Sequence, residues 1–407
     1  MGFSFLHAAD LHLGSPLLGL ALKDEAIARR FAEASRRAFT SLVTQAINER
    51  VAFVLIAGDI YDGEWRDTSI GLFFARELAR LHRELIPVYI IKGNHDAESV
   101  VTSAITLPEA VTVFSTRKTE TRLLEDLRVA IHGRSFPTRE VADNWALAYP
   151  EAKPGWFNIG LLHTSCDGRP GHASYAPCTL ADMAARGYDY WALGHVHEFE
   201  IVSSDPYVVY PGNLQGRSVR ECGPKGAVIV DVEDGRVTNL RRIVTDQARW
   251  AVLAVDAQPH ETEAALLGAL EDAFRSVADA AEGRLVAARV RLTGETALHR
   301  RLVADQARFA DEVLAAAQRC AEDIWLEKLS LETREPAFAT GDALAGVDLA
   351  ALLAGGDTET IIARFAEDLE LVRSKSSGAK LPFTGEDAPA LIAQARALLL
   401  GRAGGAC

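Results

Sequence analysis

Short apolar runs rich in β-branched and aromatic residues alternate with stretches of helical periodicity along the first 245 residues. The runs are Phe3 to Ala8, Ala52 to Ala57, Val88 to Ile91, Arg128 to Ile131, Asn158 to Leu162, Tyr190 to Leu193, Tyr207 to Tyr210 and Ala227 to Val232. Each is the length of a buried strand and too short for a helix. Between the first two runs, Ile27, Phe31, Ala34, Ala38, Leu42 and Ala46 recur at helical spacing, and Ile70, Phe74, Leu78, Leu81 and Leu85 do the same before the third. Repeated strand, amphipathic helix, strand predicts an α/β domain over residues 1–245, with stacked sheets covered by helices.

The pattern changes after Arg242. Trp250 to Asp256 reads as a strand, Glu261 to Ala278 as a helix and Leu285 to Leu292 as a strand. Leu298, Leu302, Phe309 and Val313 then line one helix face before a last strand, Trp325 to Leu331. This predicts a small α+β domain over residues 246–335. From Pro336 the chain is rich in Ala, Leu and acidic residues with glycine interruptions, which predicts a helical C-terminal extension, residues 336–407, with short helices near Leu349, over Ile361 to Leu371 and over Leu391 to Leu399. The Gly-rich tail is expected to fray.

Composition narrows the function classes. With 407 residues, 48% apolar and 24% charged, the chain is neither disordered nor a membrane span. Its net charge of −13 repels polyanions at long range, so nucleic acid would have to be met by a local basic patch or by metal. Residues from 246 onward carry 17 Lys and Arg against 26 Asp and Glu, so most of the acidity lies there. The five cysteines are odd in number and never form a C-x-x-C pair, which predicts reduced thiols. The N-terminus lacks the basic region and apolar length of a signal peptide, and a cytoplasmic location is expected.

Five apolar runs end in residues of one chemical kind: Asp10-Leu11-His12, Gly58-Asp59, Gly93-Asn94-His95-Asp96, His163 and Gly194-His195-Val196-His197. Residues just past the carboxyl ends of strands converge on one crevice, so ligands far apart in sequence can meet there. Taken singly, each fragment has an ordinary reading as a helix cap, a turn or a hydrogen-bonded core histidine. Five in order, each at a predicted strand end, point instead to metal chemistry. Two carboxylates, an amide and several imidazoles exceed what one first-row cation accepts and suit two metals sharing a bridging carboxylate.

This order of motifs resembles the calcineurin-like metallophosphoesterases. Within them the chain is similar to the SbcD-type DNA repair nucleases of the YhaO subgroup, through His7 to Gly14, Gly133 to Phe136, Tyr188 to His197 and Tyr210 to Arg217. The resemblance covers residues 1–245 by specific motifs, continues loosely into residues 246–335, where the family carries a DNA-facing capping domain, and ends near residue 336. It implies two stacked mixed β-sheets flanked by helices. It also implies two divalent metal ions, Mn²⁺ foremost, with Mg²⁺, Zn²⁺ or Fe²⁺ as alternatives. By motif, Asp10, His12 and His197 would hold one ion, Asn94, His163 and His195 the other, and Asp59 would bridge them. His95 would be left free to assist the leaving oxygen as a metal-bridged hydroxide attacks a DNA phosphodiester, with Asp96 orienting it.

One position departs from the pattern. SbcD-type nucleases usually place a histidine three residues after the bridging aspartate, and this chain has Asp62, a carboxylate that broader phosphoesterases also carry. The expected role is support behind the metal ligands. Its charge near an anionic substrate is also expected to weaken exonuclease action, so Asp62→His should raise it. Arg217 and Arg220, with Lys225, Arg241 and Arg242, are candidates for a phosphate-binding patch, and His172 is a weaker candidate for substrate contact. His7 and His132 are expected to be buried and hydrogen-bonded, and His260 and His299 have no evident partners.

The resemblance implies a coiled-coil ATPase of the SMC class as partner. The stripe Leu349, Leu352, Leu353, Ile361, Ile362, Phe365, Leu369 and Val372 is an apolar surface such a partner could cover. DNA is the expected substrate, a homodimer is left open, and no membrane is involved. A small-molecule phosphoesterase and a non-enzymatic accessory subunit are the competing readings.

Overall fold

The computed structural model describes residues 2–15, 25–62, 68–97, 106–168, 175–336 and 388–403. They fall into two compact units, residues 1–251 and 252–407. In the first unit the strands are β1 (Gly2–Ala8), β2 (Phe53–Ala57), β3 (Val88–Ile91), β4 (Val111–Val113), β5 (Glu120–Leu124), β6 (Val129–Gly133), β7 (Phe157–His163), β8 (Tyr190–Gly194), β9 (Glu200–Ser204), β10 (Tyr207–Tyr210), β11 (Gly226–Glu233) and β12 (Arg236–Val244). One six-stranded sheet has the order β12-β11-β1-β2-β3-β4 and the other β5-β6-β7-β8-β10-β9. Both are mixed. In the first, β1 to β4 run parallel, with β11 antiparallel to β1. In the second, β6, β7, β8 and β10 run parallel between antiparallel edges β5 and β9.

Period-2 alternation builds the layers. Phe5, Phe53, Leu55, Val228 and Val230 of one sheet meet Val129, Ile131, Ile159, Leu161 and Tyr190 of the other in a single buried cluster. The neighbouring residues Leu6, Ala8, Val54, Ile56 and Ile90 face the other way, onto helices α1 (Glu25–Asn48) and α2 (Thr68–Arg83) through Phe39, Leu42, Phe74 and Leu78. On the far side of the second sheet, Leu162, Trp191, Leu193 and Val208 pack on Phe136, Trp145, Tyr149 and Met183. The unit is therefore two stacked mixed sheets between outer layers, α/β as the motif pattern implies. His7 ties the sheets together. From β1 its ring nitrogens reach the Tyr190 hydroxyl and the Leu193 carbonyl of β8, each at 3.0 Å.

The second unit holds a sheet of order β13-β14-β15, with β13 (Ala248–Asp256), β14 (Leu285–Glu295) and β15 (Ile324–Arg334). Leu266, Leu270 and Phe274 from the helix Glu263–Ala281, and Phe309 and Val313 from the helix Gln306–Cys320, supply its buried apolar side. The helix Ala388–Ala403 packs on the helix His299–Ala304. The apolar stripe from Leu349 to Val372 lies outside the described residues. Among the described residues no helix is long and apolar enough to cross a membrane, and none of the four cysteines there is in a disulfide.

Candidate metal centre

All five motifs sit at the carboxyl ends of parallel strands: Asp10 and His12 after β1, Asp59 and Asp62 after β2, Asn94, His95 and Asp96 after β3, His163 at the end of β7, and His195 and His197 after β8. The pairing of β1 with β2 continues past the strands as backbone bonds, Asp10 N–H to Gly58 O, His12 N–H to Asp59 O and Leu13 N–H to Ile60 O. Here Asp10, His12, Asp59 and His195 take positive φ values of 51°, 42°, 51° and 100°. Such conformations cost a non-glycine residue about 1–3 kcal/mol and persist where the surroundings over-determine them. The surroundings do so here. The Asp10 carboxylate accepts the His195 N–H at 3.0 Å, and Asp59 Oδ1 accepts the His95 N–H at 2.9 Å. Gly194 lies so close to β2 that a Cβ on it would stand 2.0 Å from the Ala57 carbonyl oxygen.

The donor atoms form two neighbouring groups. Asp10, His12 and His197 offer ligand atoms within 4.8 Å of one another, as do Asp10, Asp59 and His163. His12 Nε2 and His197 Nε2 face each other at 3.2 Å, a spacing that two imidazoles about 2.1 Å from one cation would show. His12 is buried, and its Nδ1 has no hydrogen-bond partner. Burial, then the Arg217 charge, hold its pKa well below the usual range, so it is a neutral lone-pair donor. Asp59 Oδ2 stands 3.5 Å from His163 Nε2 and 3.9 Å from His12 Nε2, between the two groups.

In the second group His163 Nδ1 donates to the Ala57 carbonyl at 2.8 Å, which aims Nε2 at Asn94 Oδ1, 3.0 Å away. Lone pairs thus converge from His163, Asn94 and Asp59. Burial disfavours a charged His163, yet the Asp59 charge and hydrogen bond outweigh it and raise its pKa to about 9. The site demands positive charge at this point, a demand that a divalent cation also meets, so the residues fit a metal centre.

Asp62 and Asp96 exchange the roles the motifs suggest. Asp96 is fully buried, accepts the backbone N–H groups of Ile60, Tyr61 and Gly93, and so buckles the β2 and β3 loops together. It is Asp62 that holds His95, with Oδ1 2.8 Å from Nδ1. The other Asp62 oxygen accepts from the Ser15 hydroxyl at 2.6 Å and from Arg217 Nη1 at 3.3 Å. Burial pushes this carboxyl up, but the hydrogen bond from His95 and the charges around it win and hold it well below the usual range. Its negative charge is compensated on two sides. The repulsion of substrate expected of it would act through a carboxylate that already has these partners. Asp62 with His12 and His95 is a third candidate ligand group, but the short contact to His95 already satisfies it.

Arg217 is in the site, tied to Asp62 and Glu221. Lys225 is buried against Glu198 and the His197 carbonyl, Arg241 pairs with Glu49, Arg242 donates to the Pro224 carbonyl, and the Arg220 side chain is exposed. His172 lies outside the described residues. His132 bonds to Thr121 and Asn158, and His299, contrary to expectation, has a partner in the Thr333 hydroxyl at 2.9 Å. Sequence reasoning missed Glu221, whose Oε1 stands 2.8 Å from His197 Nδ1, and Tyr175, whose ring lies edge-on to His195. Neither is adjacent to a motif. Their one signal is position in the segments that follow His163 and the Tyr210-to-Arg217 motif.

Residues 3–199 match the family of calcineurin-like phosphoesterases, and residues 250–334 match the middle domain of the metallophosphoesterase YhaO. Over 344 residues, 83% of each chain, the protein is 35% identical to the metallophosphoesterase YhaO of Bacillus subtilis (strain 168). It is 23% identical over 256 residues to the DNA double-strand break repair protein Mre11 of Methanopyrus kandleri, covering 58% of this chain and 52% of that one. With Mre11 of Sulfolobus acidocaldarius the identity is 27% over 205 residues, covering 47% and 49%. The chain thus spans about half the length of these two Mre11 proteins. With the stacked mixed sheets and the ligand groups at their strand ends, these matches establish that the chain belongs to the calcineurin-like metallophosphoesterases.

Proposed function

We propose that this protein is a two-metal phosphodiesterase acting on DNA. The observation that carries the reading is the grouping of ligand atoms from Asp10, His12 and His197 and from Asp10, Asp59 and His163, each within 4.8 Å, with Asn94 Oδ1 3.0 Å from His163 Nε2 and Asp59 between the two groups. Asp10, His12 and His197 would hold one divalent cation, and Asn94, His163 and His195 the other, with Asp59 shared; Mn²⁺ is the first choice. When bound, the cations supply the positive charge that draws in phosphate oxygens and lowers the pKa of water at the site.

The chain's own residues do the rest. The hydrogen bond to Asp62 raises the pKa of His95 and fixes a proton on Nδ1, so the opposite nitrogen, Nε2, can give its proton to the departing oxygen. Arg217, partly exposed beside Asp62, is placed to meet a phosphate oxygen. DNA is favoured as substrate by the likeness to the two Mre11 proteins, whose names state a role in double-strand break repair. From the resemblance of the motifs to SbcD-type nucleases we propose a coiled-coil ATPase partner, and we propose a cytoplasmic location, where cysteines outside disulfides would stay reduced. A homodimer is left to measurement.

A second reading, a phosphoesterase for a small nucleotide, is favoured by the engagement of Lys225 with Glu198, of Arg241 with Glu49 and of Arg242 with the Pro224 carbonyl, which occupies these side chains within the protein. One experiment separates the two. Metal-stripped protein is given Mn²⁺, Mg²⁺ or Zn²⁺ and then end-labelled DNA of increasing length beside bis(p-nitrophenyl) phosphate. Cleavage that improves with DNA length supports the first reading, and equal cleavage of the small diester with no gain from length supports the second.

A further inference from the structure

The ring of His197 is gripped from behind. Its Nδ1 stands 2.8 Å from Glu221 Oε1. The other oxygen, Oε2, accepts from Asn213 Nδ2 at 2.9 Å and from the Arg217 backbone N–H at 2.7 Å. A carboxylate offers only acceptors, so the proton in the His197–Glu221 bond belongs to Nδ1. Nε2 then presents its lone pair toward His12 Nε2, 3.2 Å away. The same segment holds the backbone of His197, since Lys225 Nζ donates to its carbonyl at 3.1 Å and Glu198 Oε1 anchors that ammonium.

We propose that Glu221 is a positioning residue that fixes His197 as its Nδ1–H tautomer, and so makes Nε2 available to a cation. This rests on reading the crevice as a metal centre. A histidine can bind metal only through an unprotonated nitrogen, and which one is free is set by the bond the other makes.

The geometry makes the nearly isosteric replacement the damaging one. In Glu221→Gln the side chain has one oxygen and one NH₂ group. Two donors at short range, Asn213 Nδ2 at 2.9 Å and the Arg217 N–H at 2.7 Å, point at the Oε2 position, against one longer contact from Arg217 Nη2 to Oε1 at 3.4 Å, so the amide oxygen is drawn to the Oε2 position and the NH₂ group to His197 Nδ1. That group can only donate, which forces the ring proton onto Nε2, where it blocks the cation. Glu221→Asp keeps an acceptor-only side chain and is the control.

The test reads the ¹⁵N chemical shifts of the His197 ring in metal-free protein and, separately, Mn²⁺ affinity by calorimetry, with urea unfolding used to check that each variant is folded. Wild type and Glu221→Asp are expected to show the proton on Nδ1. Glu221→Gln is expected to show it on Nε2 and to bind Mn²⁺ about 10–100-fold more weakly. An unchanged tautomer in Glu221→Gln, or unchanged Mn²⁺ affinity, would overturn the proposal. Wild-type protein that binds no divalent cation would defeat the metal-centre reading instead, and the ring shifts, read without metal, would still decide what Glu221 does.

Discussion

Asp62 and His95 form a hydrogen-bonded pair, Oδ1 to Nδ1 at 2.8 Å, although one follows β2 and the other follows β3. A carboxylate on Nδ1 orients the ring, stabilises its protonated form and leaves Nε2 as the proton donor. His95→Gln should therefore lower turnover of a generic phosphodiester by on the order of 10²–10⁴-fold, while metal content by mass spectrometry stays near that of wild type. A variant that arrives without metal would make His95 a ligand.

The same pair reverses the expectation for Asp62→His. Because Asp62 anchors His95, Ser15 and Arg217 together, replacing it with a second imidazole unmoors the proton donor and leaves Arg217 without this counter-charge. Activity on both DNA and a generic phosphodiester should fall. A rise in exonuclease activity would show that the pair is dispensable.

Asp59 stands between the two donor groups. Asp59→Asn should weaken binding of both cations, seen as a fall from two Mn²⁺ per chain after equilibrium dialysis. Retention of one tightly held ion with the other unaffected would remove the bridging role.

His7 gives a pH dependence with a definite sign. Burial lowers its pKa to about 3, against the raising effect of its bond to the Leu193 carbonyl, whereas an unfolded histidine titrates near ~6.5. Below ~6.5 the unfolded chain takes up a proton that the folded chain refuses until about pH 3. The His7 contribution to stability is thus complete above the unfolded value of ~6.5 and is lost as pH falls from there toward about 3, by about 1.4 kcal/mol per unit. Urea unfolding of metal-free protein at pH 7, 6 and 5 should show a shallower loss in His7→Gln than in wild type. Parallel slopes would contradict it.

Gly194→Ala tests the closeness of the sheets at the site. The added methyl would meet the Ala57 carbonyl oxygen at 2.0 Å and His163 Nδ1 at 2.8 Å, neither of which can swing away. The overpacking should cost about 1–3 kcal/mol or more and displace His163, so both urea resistance and metal uptake should drop.

The strands that were legible in the sequence are those buried on both faces, such as β2 and β7, whose side chains are apolar throughout or nearly so. The edge strands were not. β5 (Glu120–Leu124) and β9 (Glu200–Ser204) have no buried residue and β12 (Arg236–Val244) has one, and an edge needs charge or polarity more than an apolar run. The candidate ligands were legible because each ends an apolar run with a polar side chain. What pairs with them was not, since Asp62 with His95 and Glu221 with His197 are contacts set by tertiary geometry. Asp96 shows the limit from the other side. Its neighbour in sequence is His95, but three backbone N–H groups claim its carboxylate.

The candidate ligands are divided between the two sheets of the sandwich. Asp10, His12, Asp59 and Asn94 come from one, and His163, His195 and His197 from the other. Each proposed ion would therefore take ligands from both halves, like a rivet through two plates. Loading such a site opposes the separation of the sheets and resists unfolding by RT ln(1 + [L]/Kd), about 2.7 kcal/mol when the ion is at 100 times its Kd. Starving the protein of metal would then loosen the seam between the sheets as well as silence the chemistry.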